Sequence, residues 1–151
     1  MKLVSSAFGN FEPIPIKYTG EGEDLSPPLR WQDVPEGTRS LALICDDPDA
    51  PHGTWDHWVL YNIPPAIGVL GEGTVTPPHG IQSGTNSWGK TGYGGPLPPS
   101  GQHRYFFTLY ALDTVLQLPE ELTKGNLLQA MQGHILAEAS LVGVYERQHK
   151  S

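Results

Sequence analysis

Prolines and glycines punctuate this chain so densely that it is expected to form short segments joined by ordered loops. Its 151 residues include 15 Pro and 18 Gly; the proline share is about twice the usual one. Proline fixes φ and removes a ladder donor, so it ends a strand or sits at a sheet edge. The apolar runs between the breakers are too strong for a disordered chain. Arg39 to Cys45 is one continuous run, as in a central strand buried on both faces. It stops at Asp46-Asp47-Pro48-Asp49-Ala50-Pro51, and a second β-type run, Trp55 to Ile63, is closed by Pro64-Pro65.

His103 to Asp113 is the clearest strand. Alternation sets Tyr105, Phe107, Leu109 and Ala111 on one side, and Phe106, Thr108, Tyr110 and Leu112 on the other. Residues 2–8 and 14–18 read as edge strands, Ser26 to Trp31 as a turn leading into a short strand, and Leu141 to Arg147 as the last strand. A helix is expected near 123–139, where Leu127, Leu128, Met131, Ile135 and Leu136 recur at helical spacing. The fold class is mainly β, with two antiparallel sheets and one main helix. No internal repeat or shift in composition divides the chain, so residues 1–151 are expected to form a single domain.

The stretch from Pro64 to Gly101 resembles a linker in composition, but Trp88, Lys90 and Tyr93 interrupt it and a strong strand follows. A long loop that is ordered is usually functional.

Charge narrows the partners. The formal net charge is −7, and Lys and Arg are scattered, which disfavours nucleic acid and anionic membrane surfaces. A local pocket can still hold one small anion. Cys45 is the only cysteine, so an intrachain disulfide is excluded, and its apolar surroundings suggest an inert thiol. The sequence shows no signal-peptide layout and no apolar stretch near the ~20 residues of a membrane span, which together point to the cytoplasm and to no integral membrane association.

Three segments carry unusual polar residues at strand ends: Asp46, Asp47 and Asp49; Asp56-His57; and His103-Arg104-Tyr105, with the loop Gly92 to Pro99 just before it. Each has an ordinary structural explanation. Acidic residues cap turns, a histidine beside Trp58 can be a core residue, and Arg104 can pair with an Asp. Together they suggest two imidazoles and an orienting carboxylate around a cavity. Asp47, His57 and His103 also have the composition of a two-His, one-carboxylate metal site, but no further carboxylate that would orient such ligands is identifiable and no metal or other cofactor is expected. Walker, Rossmann, nucleophile-elbow, C-x-x-C and H-E-x-x-H motifs are absent.

Asp47-Pro48-Asp49-Ala50-Pro51, with His57-Trp58-Val59 and Tyr61-Asn62-Ile63-Pro64, resembles the first signature of the phosphatidylethanolamine-binding (Raf kinase inhibitor-like) family. Gly95-Pro96 with Gly101-Gln102-His103-Arg104-Tyr105-Phe106-Phe107 resembles its second. Gly84-Thr85-Asn86, Gly89 to Pro96 and Gly133 to Ala139 are similar to its bacterial and archaeal branch. The resemblance covers nearly the whole chain. It implies a Greek-key-like sandwich of two antiparallel sheets with peripheral helices, and a pocket for phosphate, acetate or a phosphorylated headgroup. Carried over by position, the pocket residues are Asp47, Pro51, Trp55, His57, Gly95, Pro96, His103 and Tyr105. The chain ends soon after Tyr145, without the C-terminal helix of the mammalian branch, so that branch's kinase contacts do not transfer.

The expected function is small-ligand binding, with a regulatory role as one form of it, and not catalysis. In this scheme neutral His57 and His103 donate N–H bonds to an anionic oxygen, and the Gly95 amide adds a donor. Tyr105 walls the site or donates its hydroxyl, and Asp47 fixes a tautomer or shares a proton with the ligand. The alternatives are a protease or kinase-pathway inhibitor acting through the pocket rim, and a weak hydrolase using His and Asp as acid and base. A homodimer is expected from the bacterial-branch resemblance and from the apolar region Leu127 to Tyr145, which the short chain would leave open.

Overall fold

Among the described residues, nine strands and one α-helix follow in the order β1 (Lys2–Val4), β2 (Glu12–Pro13), β3 (Leu29–Gln32), β4 (Ser40–Asp47), β5 (Trp55–Ile63), β6 (Val69–Leu70), β7 (Gln82–Ser83), β8 (Gln102–Leu112), α1 (Lys124–Met131) and β9 (Ile135–Glu146). The structure is a computed structural model and describes residues 1–74, 80–119 and 122–148. Part of the Gly-Pro stretch, residues 75–79, therefore lies outside the described residues, as do residues 120–121 and 149–151 of the expected domain.

The strands form two sheets. The smaller has the order β1-β3-β6, and the larger β2-β9-β8-β4-β5-β7. All pairings are antiparallel except the short contact of β2 with β9. The long strand β8 returns beside β4 and not beside β5, so β4 is the hub of the larger sheet. This central place explains the unbroken apolar run in the sequence, because neither face of β4 meets water. Leu41, Leu43 and Cys45 face the smaller sheet with Trp58, Leu60, Tyr105, Phe107 and Leu109, and meet Leu3, Leu29, Trp31 and Leu70 there. Ala42 and Ile44 face the other way with Val59 and Tyr61, and are covered by Leu116, Leu122, Leu127 and Met131. The result is a layered sandwich, with the helix and the segment before it lying on the outer face of the larger sheet. The expected alternation along β8 holds, with Tyr105, Phe107, Leu109 and Ala111 together in the inner core.

The helix is shorter than its periodicity predicts. Thr123 caps it, accepting from the Asn126 amide in a capping box. Gly133 at φ +81° then turns the chain after Met131, a left-handed conformation that ends helices. Ile135 to Ala139 belong instead to β9, pairing with β8 through Leu112↔Ile135, Ala111↔Ala137 and Leu109↔Ala139. Two patterns overlap in this segment. Ile135 and Leu136 continue the helical spacing, while Ala137 and Ala139 alternate toward the core. The tie is broken by the long open edge of β8. Two edge strands also differ from expectation: only Lys2–Val4 of residues 2–8 pairs, and Ile16–Tyr18 forms a 3-10 turn.

The apolar surface expected to lie open is mostly covered within the chain. Leu127 and Met131 are fully buried, Leu141, Val142, Val144 and Tyr145 are buried, and Ile135 and Leu136 remain 43% exposed. Among the described residues no helix is long and apolar enough to cross a membrane.

Candidate ligand-binding site

Three neighbouring strands of the larger sheet end on one cavity. Asp47 closes β4, Trp55 and His57 open β5, and His103 and Tyr105 open β8. His57 and His103 are on strands that both flank β4, so they are not on adjacent strands. A bulge aims His57. Cys45 pairs with Trp58 and Asp46 with Asp56, which leaves His57 as the extra residue on β5. An extra residue bends the strand and redirects its side chain, a device common beside functional sites.

Two loops complete the walls. Residues 48–54 follow β4 and contribute Ala50, Pro51, His52, Gly53 and Thr54. Asp49 pins this loop to β8: its carboxylate accepts from the Arg104 amide and Nε, both at 2.9 Å, and from the second guanidinium nitrogen at 2.8 Å. The opposite wall is the Gly-Pro loop, contributing Ser87, Trp88, Leu97, Pro98 and Pro99. Asn86 organises it, accepting from the amides of Trp88 at 3.0 Å and Lys90 at 3.2 Å and donating to Gly92 O at 3.1 Å. The loop is therefore ordered and built to present Trp88. The cavity volume is about 560 Å³, within the range of small-molecule sites.

The cavity has one polar side and apolar walls. His57 Nδ1 donates to Gly94 O at 2.6 Å, and the Gly94 amide returns a bond to His57 O at 3.0 Å. The His57 ring meets Trp88 edge-on at 5.1 Å and Tyr105 at 5.2 Å between centroids, and the His103 ring stacks near Tyr105 at 6.5 Å. His103 Nδ1 donates to Asp47 Oδ2 at 2.6 Å, while Asp47 Oδ1 accepts from the Asp49 amide at 2.8 Å. Asp47, His57 and His103 are all buried. Burial holds His57 below the usual imidazole range, against the raising effects of Gly94 O and of Asp47, Asp24 and Asp46. Burial, then the charge of Asp47, pushes the Tyr105 hydroxyl far up, so it stays a neutral donor. That hydroxyl is buried without a hydrogen-bond partner among the described residues.

Of the residues expected at the site, Asp47, Pro51, Trp55, His57, His103 and Tyr105 line this cavity. Gly95 and Pro96 do not. They are buried behind the wall, where the Gly95 amide donates to Asp24 Oδ1 at 2.8 Å and Pro96 O accepts from the Gly20 amide at 2.9 Å. The Gly95 amide is thus already committed to Asp24 and is not an available donor for a ligand. The neutral-imidazole scheme changes too. Each Nδ1 carries the ring proton to a protein acceptor, so a neutral ring leaves a lone pair, not an N–H, on Nε2. Asp46 and Asp56 turn to the other face of the sheet, where Lys124 Nζ lies 2.7 Å from Asp46 and 3.6 Å from Asp56 and anchors α1. Among the described residues no group of three or more His, Cys, Asp or Glu is arranged to hold a metal ion.

Sequence reasoning passed over Trp88 and Leu97, 44% exposed each, as wall residues. The available signal was a large aromatic side chain isolated in Asn-Ser-Trp-Gly. Asp24, at φ +59°, supports the wall from a distant segment and gave no local signal.

A family model described as "Phosphatidylethanolamine-binding protein" matches residues 4–146. A UPF0098 protein of Methanothermobacter thermautotrophicus is 53% identical over 150 residues, covering 97% of this chain and 99% of the relative. A UPF0098 protein of Chlamydia trachomatis is 47% identical over 152 residues, with 97% and 99% covered. Among solved structures, a proposed phosphatidylethanolamine-binding protein homolog from Chlamydia trachomatis superposes with TM-score 0.92 at 45% identity, covering 97% of both chains. Escherichia coli YbcL, described as a member of the mammalian family, superposes with TM-score 0.91 at 31% identity, covering 97% of this chain and 98% of its own.

Proposed function

This chain belongs to the phosphatidylethanolamine-binding protein family, and from that premise we propose that it binds a small anion, phosphate or a phosphorylated headgroup, in the cavity between β4, β5 and β8. Family membership supports a small-ligand binding protein. The observation that carries the anion reading is the convergence of the buried His57 and His103, with Asp47 and Tyr105, on one cavity lining. Pro51, Trp55, Trp88 and Leu97 supply apolar walls for the rest of a headgroup.

Binding fits this arrangement better than turnover. Both Nδ1 atoms are held by acceptors, Gly94 O and Asp47, and among the described residues neither imidazole is hydrogen-bonded to a Ser or Cys side chain. Cys45 is fully buried, and burial pushes its thiol well up, which removes it as a nucleophile. Action in the cytoplasm as a homodimer, within one domain spanning residues 1–151, goes with the same reading. For the dimer the segment after the helix offers Ile135 and Leu136, a small patch, while Phe11, Val69 and Val115 are exposed elsewhere. Light scattering coupled to size exclusion tests it, and a mass near 16.5 kDa at every concentration would remove it.

The binding test is a thermal-shift titration with inorganic phosphate on the parent and on a His57→Ala/His103→Ala variant. A ligand that binds only the folded state raises the melting temperature by mass action. The parent should respond and the variant should not; equal responses would take the cavity out of the explanation.

A further inference from the structure

We infer that Lys124, on the outer face of the larger sheet and outside the cavity, is the positioning residue that holds His57 and the Trp88 wall in place for the ligand. The inference rests on the anion-site reading above and adds the group that keeps the site in shape.

Asp46 and Asp56 are direct partners across β4 and β5, and like charges placed opposite each other on paired strands repel. They stand at the edge of the bulge whose extra residue is His57. The ladder is interrupted at a bulge, so repulsion there meets little resistance. Lys124 Nζ sits between the two carboxylates, 2.7 Å from Asp46 and 3.6 Å from Asp56, and the three side chains are only 20–22% exposed. Water and salt screen charges so placed weakly. Burial raises the Asp56 carboxyl, Lys124 lowers it and Asp46 raises it again. The lysine is thus the charge that lets two carboxylates share this end of the strand pair.

Asp56 carries the effect through the sheet to the cavity. Its amide donates to Ser87 Oγ at 2.8 Å, and its carbonyl accepts from the Ser87 amide at 2.9 Å, which fixes the residue before Trp88. The next residue, His57, holds Gly94 through Nδ1 and through its carbonyl. Ser87 and Gly94 bracket Trp88 in the loop wall, so a displacement of Asp56 moves the imidazole and the wall together.

The place of Lys124 in α1 also asks for such a role. It is the first helical residue after the Thr123 cap, in a first turn that has no acidic residue. A cation there opposes the helix dipole. Nor is its charge what docks the helix, because Leu127 and Met131 are fully buried against the sheet. The carboxylate pair accounts for a lysine at this position, and the helix does not.

Calorimetric titration with inorganic phosphate and proton–nitrogen NMR of the His57 ring, both on the intact protein, test this. Lys124→Met keeps the stem and removes the charge. It should move the His57 ring signals and weaken phosphate binding at least about tenfold. Lys124→Arg keeps a cation, and Lys124→Met/Asp56→Asn removes the repulsion; each should return both readouts toward the parent. A lysine that only anchors α1 would lower the melting temperature of Lys124→Met and leave the ring signals in place, and that result overturns the inference. Ring signals that move without loss of affinity overturn it too, as does a failure of Lys124→Met/Asp56→Asn to fold or to restore them. If the parent binds no phosphate, the anion-site reading falls, and the ring signals still decide whether Lys124 positions His57.

Discussion

Nδ1 of His103 and Oδ2 of Asp47 meet at 2.6 Å although 56 residues separate them in sequence. The pair joins the start of β8 to the end of β4, and the same carboxylate holds the Asp49 amide. One buried side chain thus orients an imidazole and starts the turn of a cavity wall. Asp47→Ala leaves both donors unsatisfied and should cost about 1–3 kcal/mol of stability. Asp47→Asn, which retains an acceptor, should cost less. Urea denaturation of the two variants gives the comparison; equal losses would mean that the negative charge, and not a hydrogen-bond acceptor, is what the site needs.

His57 makes folding sensitive to acid. Its folded-state value lies below the usual one because of burial, so the unfolded chain takes up the proton first as pH falls. Its contribution is whole above the ordinary imidazole value of about 6.5 and declines as pH falls through the lowered one. His57→Gln should flatten the slope of stability against pH below about 6.5. Denaturation midpoints across that range check this, and an unchanged slope would assign the acid sensitivity to other groups.

Asp49 works in a lower window. The Arg104 hydrogen bonds hold its carboxyl down at about 2, from a usual 3.8. A lowered carboxyl stabilises fully above its unfolded value, and the gain is lost as pH falls from about 4 toward about 2. Arg104 is half exposed, so solvent screens the pair and Arg104→Ala should cost no more than about 1 kcal/mol at neutral pH. The cost should shrink in high salt and vanish near pH ~2. Chemical denaturation at several pH values and two salt concentrations measures it, and a cost that persists at low pH would indicate lost packing instead.

Two adjacent glycines should respond differently to the same change. A Cβ on Gly94 would run into the Trp88 ring, whereas one on Gly95 would run into Asp24 and the backbone of Tyr18 and Thr19. Trp88 is 44% exposed and can swing aside, but the backbone cannot. Gly94→Ala should therefore shift tryptophan emission and weaken phosphate binding with little loss of stability. Gly95→Ala should lose about 1–3 kcal/mol. Fluorescence and denaturation of both variants test the contrast, and matching stability losses would show that the Trp88 wall is as rigid as the backbone behind it.

Much of this protein was legible without coordinates. The unbroken apolar run of β4, the alternation of β8 and the prolines that close β4 and β5 are local signals, because burial on one or both faces and the missing N–H of proline act through neighbouring residues. The polar residues at the strand ends stood out for the same reason. The helix boundary was not legible, since Ile135 and Leu136 satisfy two periodicities and only pairing with β8 chooses between them.

What the sequence by itself determined was the long strands β4, β5 and β8 and the residue types gathered at their ends. Which hydrogen-bonding face each histidine shows to a ligand was decided by tertiary structure alone. It depends on the single extra residue in β5 that aims His57, on Gly94 and Asp47 each accepting an Nδ1 proton, and on Asp24 claiming the Gly95 amide. These partners are far apart in sequence, and a hydrogen bond exists only within a few tenths of an ångström of its proper length. No local pattern specifies that distance; the register of the sheet and the packing of the loops do.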